Sequence, residues 1–167
     1  NIMLRNIDGS NMTDAEKSHW RSVGLFFRSL RYYELLARYG DVPWLENVVS
    51  DQDHDILYGQ RTARDTVAAN ILRDLQYAET NIKEKGDGDN TINRACVRAL
   101  MSRFCLFEGT WRKYHNLSDA TTYLNECKRV SELLLTAYPT ITPKYVDLWS
   151  SFDLSKVAGI ILYKECA

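Results

Sequence analysis

Four stretches of this chain repeat their apolar residues every three or four positions, the period of an amphipathic helix. The first opens at Thr13-Asp14-Ala15-Glu16, where Thr with Glu three positions on makes a capping-box pattern. Val23, Phe26, Phe27, Leu30, Tyr33 and Ala37 mark its inward face. It should stop near Tyr39, because Gly40 supplies a left-handed cap and Pro43 cannot continue a helix. The second follows a cap signal at Thr62-Ala63-Arg64-Asp65, carries Val67, Ile71, Leu75, Ala78 and Ile82, and runs to about Lys85. The turn cluster Gly86-Asp87-Gly88-Asp89-Asn90 ends it. The third spans about Asn93 to Trp111, with Val97, Leu100, Met101, Phe104 and Phe107 inward. Its small residues Ala95, Ala99 and Ser102 would let a neighbouring helix approach closely. After the connector Asn116-Leu117-Ser118-Asp119, a fourth helix runs from about Ala120 to Tyr138. It carries Tyr123, Leu124, Cys127, Val130, Leu133 and Leu134, and Pro139 and Pro143 close it.

Between and beyond these runs the period is lost. Residues 44–60 hold Asp51, Asp53, Asp55 and Gly59 without a sustained stripe and are expected to form a surface excursion. After Pro143 come an aromatic cluster (Tyr145, Leu148, Trp149, Phe152) and Gly159-Ile160-Ile161-Leu162-Tyr163, which reads as a short strand with no evident mate. Helix pairs joined by short turns, with small residues in one helix, predict stacked helical hairpins. The second and third helices recur on roughly the 34-residue scale of tetratricopeptide units. The Trp-Leu-Gly-Tyr consensus of that repeat is absent. The expected fold is therefore mostly α: tetratricopeptide-like helical hairpins in a single domain over 1–167, with a short strand near the C-terminal end.

Composition narrows the function. The chain is long enough for one buried core, and 45% hydrophobic with 26% charged residues is ordinary for a globular protein. With 21 basic and 22 acidic residues the net charge is -1, which gives no electrostatic footprint for nucleic acid and none for an anionic membrane surface. No apolar run reaches the roughly 20 residues needed to span a bilayer, and no signal-peptide pattern is visible. The sequence opens on Asn1 without an initiating Met and stops just after the strand-like run, so it is expected to be part of a longer protein.

Catalytic and metal chemistry find no support. Cys96 and Cys105 are nine residues apart, which puts them on opposite faces of one helix, and no Cys/His spacing suggests zinc. Cys96, Cys105, Cys127 and Cys166 are expected to act as small hydrophobes. His19, His54 and His115 are scattered. The runs from Asp51 and from Asp87 fail as calcium loops, which need Gly at the sixth and an acid at the twelfth position. There is no Gly-x-Ser-x-Gly elbow and no phosphate loop. Asp14, Glu16, Asp65 and Asp74 are expected on helix surfaces in solvated or capping roles. No catalytic residue, cofactor or metal ligand is assigned.

Specific words carry the reading further. Phe26-Phe27-Arg28-Ser29, Tyr32-Tyr33, Leu35-Leu36 and then Tyr39-Gly40-Asp41-Val42-Pro43-Trp44 resemble the hallmark helix of the SusD/RagB family and its Tyr-Gly-Asp-Val-Pro stop. Ile71-Leu72, Asp74-Leu75 and Ala78 resemble the family's second helix. Arg94-Ala95, Ala99-Leu100, Ser102-Arg103 and Leu106-Phe107 resemble its third, and Ile160 to Tyr163 its following strand. One departure stands in the first helix: the family often has Gly-Glu four residues before the first Phe, where this chain has Ser22-Val23.

The resemblance implies a surface-exposed outer-membrane lipoprotein that captures glycans or other nutrients as a lid on a TonB-dependent β-barrel transporter, without catalysis. Its membrane attachment would be a lipid anchor on a Cys directly after a signal peptide, a position that none of the four cysteines here occupies. Glycan binding uses aromatic faces with amide, Arg or carboxylate groups beside them. Trp20, Trp44, Trp111, Tyr114 and Trp149 are the aromatics to weigh, with Trp44 and Trp20 the ligand-binding candidates and Trp111 expected in the core. The hairpin pattern without the family words would fit a second reading, a helical-repeat scaffold that binds another protein.

Overall fold

A computed structural model describes residues 1–141, 144–150, 153–155 and 157–164. The chain divides into two compact units, Asn1–Ile82 and Lys83–Ala167.

In the first unit a one-turn helix α1 (Ile2–Asn6) and a 3-10 turn (Ile7–Gly9) precede the long α2 (Asp14–Tyr39). The capping box forms as the sequence predicts: Glu16 N–H donates to Thr13 Oγ1 at 3.3 Å, and Thr13 N–H to the Glu16 carboxylate at 2.8 Å. At the other end Gly40 takes φ +69° and ψ −106°. Its φ is positive as expected, but its ψ lies outside the left-handed helical well, in backbone that a β-carbon disfavours. Then come the short α3 (His54–Leu57) inside the excursion and α4 (Arg64–Asn81). Gly40 lies at the end of α2, Asp41 just beyond it bonds Arg64 at the start of α4, and Arg28 meets Asp74 midway along both. The two long helices are therefore an antiparallel hairpin.

The expected α4 face is buried in full, at Val67, Ile71, Leu75, Ala78 and Ile82. The helix ends at Asn81 rather than near Lys85, because the Asn81 side chain takes the Tyr77 carbonyl and Ile82 turns extended to bury itself. The α2 face is rotated from the expected one. Val23 and Phe26 point inward, but Phe27 and Ala37 are exposed, and His19, Ser22, Ser29 and Leu36 take the buried positions. Buried serines let helices approach closely, and an apolar stripe alone does not register them.

In the second unit Asn93 caps α5 (Arg94–Tyr114) by accepting the Cys96 N–H at 3.1 Å. Asp119, in left-handed backbone at φ 64°, leads into α6 (Ala120–Ala137). Ser102 bonds Ser131 at 2.8 Å, while a β-carbon on Gly109 would lie 2.8 Å from Leu124 Cδ2. These two contacts run in opposite directions along the helices, so α5 and α6 are also antiparallel, closest where Ser102 and Gly109 leave room. Cys96 and Cys105 are both buried, Cys127 partly so, and all three are free thiols. Burial pushes the Cys105 thiol pKa well up, which keeps it unreactive.

The chain then forms α7 (Tyr145–Trp149), with Trp149 ringed against Tyr145. The expected strand at Ile160–Tyr163 is not formed among the described residues. No strand lies beside it there; instead the Asn90 side chain receives the Tyr163 N–H at 3.0 Å and donates to the Tyr163 carbonyl at 2.9 Å. One amide thus imitates a strand partner at a single residue. Pro143, Phe152 and Cys166 lie outside the described residues. No helix among the described residues is long and apolar enough to cross a membrane.

Candidate functional site

The densest polar cluster of the first unit lies where the chain leaves α2. Gly40 turns the backbone, and Val42 pairs with Thr62 in an isolated antiparallel bridge. That bridge delivers Trp44, whose backbone N–H donates to Thr62 Oγ1 at 3.0 Å. Tyr32, one helical row below, donates its hydroxyl proton to the Pro43 carbonyl and accepts the Leu45 N–H at 2.7 Å. Its ring lies 4.2 Å from that of Trp44. Burial raises the Tyr32 pKa despite the opposing pull of the Leu45 N–H, so the phenol stays protonated.

Charged groups close a circuit around this corner. Trp44 Nε1–H donates to Glu46 at 2.9 Å, and Glu46 pairs with Arg73. Arg73 also reaches Asp74 at 3.0 Å, and Asp74 accepts Arg28 Nε–H at 2.8 Å. The Arg28 guanidinium in turn lies 5.4 Å from the centre of the Trp44 ring, in cation–π range. The Trp44 hydrogen bond, with Arg73 beside it, lowers the Glu46 pKa below its ordinary 4.5. Asp74, expected on a solvated surface, is only 3% exposed. The correction has a physical cause: two guanidinium groups satisfy its oxygens, which lets a carboxylate sit inside the hairpin.

The structure does not gather the candidate aromatics. Trp44 is half-buried, with its N–H and part of its ring committed. Trp20 lies on the exposed side of α2, edge-on to buried His19, and no ring contact joins it to Trp44 among the described residues. In the second unit Trp111, expected in the core, is 39% exposed. It is stacked between Phe107 at 6.3 Å and His115 at 3.9 Å, a ladder at four-residue steps. Tyr114 and Trp149 are exposed.

Sequence reasoning passed over Glu46 and Arg73, whose ion pair joins residues 27 positions apart in the chain. The signal for Arg28 and Asp74 was present, since both fall within the quoted helix words, but their pairing was not. It also missed Glu108 and Arg112, a buried ion pair at 2.8 Å within α5, with Arg112 5.0 Å from the Tyr123 ring centre. Among the described residues no group of three or more His, Cys, Asp or Glu is placed to hold a metal ion.

Comparison with known proteins places this arrangement. A family model, SusD-like, described as starch-binding and associating with the outer membrane, matches residues 1–106. SusD-like protein P2 of Formosa agariphila is 28% identical over 88 residues, 53% of this chain and 17% of that protein. SusD-like protein P25 of the same organism is 29% identical over 83 residues, 49% of this chain and 15% of that protein. This chain thus spans less than a fifth of the length of either relative in those matches. A crystal structure of a SusD-like protein from Bacteroides fragilis superposes with a TM-score of 0.62 at 23% identity, over 77% of this chain and 24% of that one. A laminarin-binding SusD-like protein superposes with a TM-score of 0.70 at 15% identity, over 90% of this chain and 31% of that one.

Proposed function

This chain belongs to the SusD-like family, and from that premise we propose that it is part of a glycan-binding component of an outer-membrane uptake complex. The observation that carries the reading is the family match over residues 1–106, which includes the α2–α4 hairpin and its Tyr39-to-Trp44 corner. The superposition on a laminarin-binding relative supports glycan as the ligand class. In this reading the two hairpins are scaffold, the protein binds rather than transforms its ligand, and it sits at the cell surface over a TonB-dependent β-barrel transporter. Its membrane attachment is a lipid anchor.

Calorimetric titration of the full-length protein against a panel of polysaccharides that includes laminarin and starch tests the ligand class. Binding of at least one glycan is expected. Co-purification of a TonB-dependent barrel with the tagged protein from the native outer membrane tests the assembly. If no glycan binds and no barrel co-purifies, the reading fails.

A further inference from the structure

Ser102, Cys105 and Gly109 form one row along α5, and Leu124, Cys127 and Ser131 form one along α6. Both rows step by three and then four residues, so each lies on a single helix face. They oppose each other in antiparallel order. At one end Ser102 Oγ lies 2.8 Å from Ser131 Oγ. At the other, a β-carbon on Gly109 would lie 3.2 Å from the Leu124 backbone N, which puts the two α-carbons within about 6.2 Å. The cysteines are the middle members of the rows, and the register sets them within one residue of each other, about 1.5 Å of helix rise. Cys127 Sγ points into this seam, 3.8 Å from Ser102 Oγ and 4.0 Å from Ser131 Oγ. Burial is the main cause of the raised Cys105 pKa, and Glu126 and Cys127 of the facing helix add to it.

A disulfide spans α-carbons about 4.4–6.8 Å apart. The seam comes that close at Gly109 and Leu124, one turn from the thiols, because Gly109 has no side chain to hold the helices apart. Both thiols are free in this structure, and they differ in access. Cys105 is fully buried and Cys127 partly exposed. An oxidant arriving from solvent therefore meets Cys127 first, and Cys105 is reached through the Cys127 sulfur.

We propose that Cys105 and Cys127 are a modification site, oxidised by a low-molecular-weight disulfide to a cystine that staples α5 to α6. The Cys127 thiolate attacks one sulfur of the donor, the donor S–S bond breaks, and one donor thiolate leaves. The Cys105 thiolate then attacks the Cys127 sulfur and expels the second donor thiolate. The two cysteines lose two protons and two electrons, and the donor carries both away as two thiols. The new bond joins residues 22 positions apart and so restricts the unfolded chain. Disulfides persist in the periplasm and at cell surfaces, so the location proposed above would preserve this one, although its chemistry does not rest on that reading.

The test incubates the folded full-length protein with oxidised glutathione and maps its cysteines by mass spectrometry after tryptic digestion without reductant. Residues 104–112 and 114–128 should be recovered joined, two hydrogens lighter than the sum of the separate peptides. The linked protein should melt a few degrees higher than the reduced one. Cys105→Ala should instead trap glutathione on Cys127, whereas Cys127→Ala should leave Cys105 unmodified. Cys96→Ala, on another face of α5, should keep the link. The inference is overturned if Cys127 of the wild type stays free, retains glutathione or joins a different cysteine. It is equally overturned if the link forms only in denaturant, or if the linked protein melts no higher.

Discussion

Asp41 Oδ1 accepts the backbone N–H of Arg64 at 2.8 Å, across 23 residues of chain. The start of α4 has no side-chain cap of its own: Ala63 is its N-cap, and Thr62, which the sequence offers for the task, binds the Trp44 N–H instead. The Asp of the Tyr-Gly-Asp-Val-Pro stop thus follows the Gly40 cap of one helix and supplies the missing acceptor at the beginning of the next, where an anion also meets the helix dipole favourably. Asp41→Ala should cost about 1 kcal/mol and Asp41→Asn much less, read by urea denaturation. Equal losses for the two would show that charge, not the hydrogen bond, carries the effect.

Gly40 stands at φ +69° and ψ −106°, with nothing within 4 Å of where a β-carbon would be. Space is therefore not the constraint; backbone strain is. Gly40→Val should destabilise by about 1–3 kcal/mol, seen as a lower melting temperature. A neutral result would mean that the corner relaxes without cost.

Asp74 sits between two guanidinium groups, and Arg28 is nearly as buried as its partner, with 11% of its side chain exposed. Asp74→Ala leaves Arg28 uncompensated in the hairpin and should cost about 3–5 kcal/mol. The double variant Arg28→Met/Asp74→Leu should recover a large part of that loss. Denaturation midpoints for Arg28→Met, Asp74→Leu and the double variant close the cycle, and simple additivity would show that the pair is not coupled.

Acid should loosen the Trp44 corner. The Glu46 pKa is depressed in the folded protein, so its contribution is full above the ordinary value of 4.5 and fades as pH falls through the lower folded value. Indole fluorescence in a variant that keeps Trp44 as its sole Trp should shift below pH 4.5 and stay flat above it. Glu46→Gln should abolish that step, and its persistence would assign the change to another group.

Trp44 has its N–H on Glu46 and its ring against Tyr32 and Arg28. Residues 1–167 by themselves should bind no glycan measurably in calorimetry. In the full-length protein Trp44→Ala should lower the melting temperature while leaving glycan affinity within about twofold, a change of under 0.5 kcal/mol. Micromolar binding by residues 1–167, lost in Trp44→Ala or Trp20→Ala, would place the ligand site here instead.

The parts of this protein that were legible early are those governed by neighbours along the chain. The capping box at Thr13 and Glu16 and the α4 stripe from Val67 to Ile82 both formed, because each depends on residues within a few positions or on one helical period. The rotation of α2 was hidden, since Ser22 and Ser29 are fully buried although neither is hydrophobic enough to mark an inward face. The strand at Ile160–Tyr163 failed for a related reason: extended apolar residues need a mate, and here Asn90 offers one side chain in its place.

The same division separates family from site. Local periodicity, stops and ordered words were enough for a helical-hairpin scaffold of the SusD-like family, since they are short-range features written in consecutive residues. Which charges would be buried could not be read that way. Arg28, Glu46, Arg73, Asp74 and Trp44 come from two helices and a loop, and their circuit exists only once α2 and α4 lie antiparallel. A carboxylate such as Asp74 can leave water only where guanidinium groups replace its solvent, and that replacement is a property of the packed hairpin.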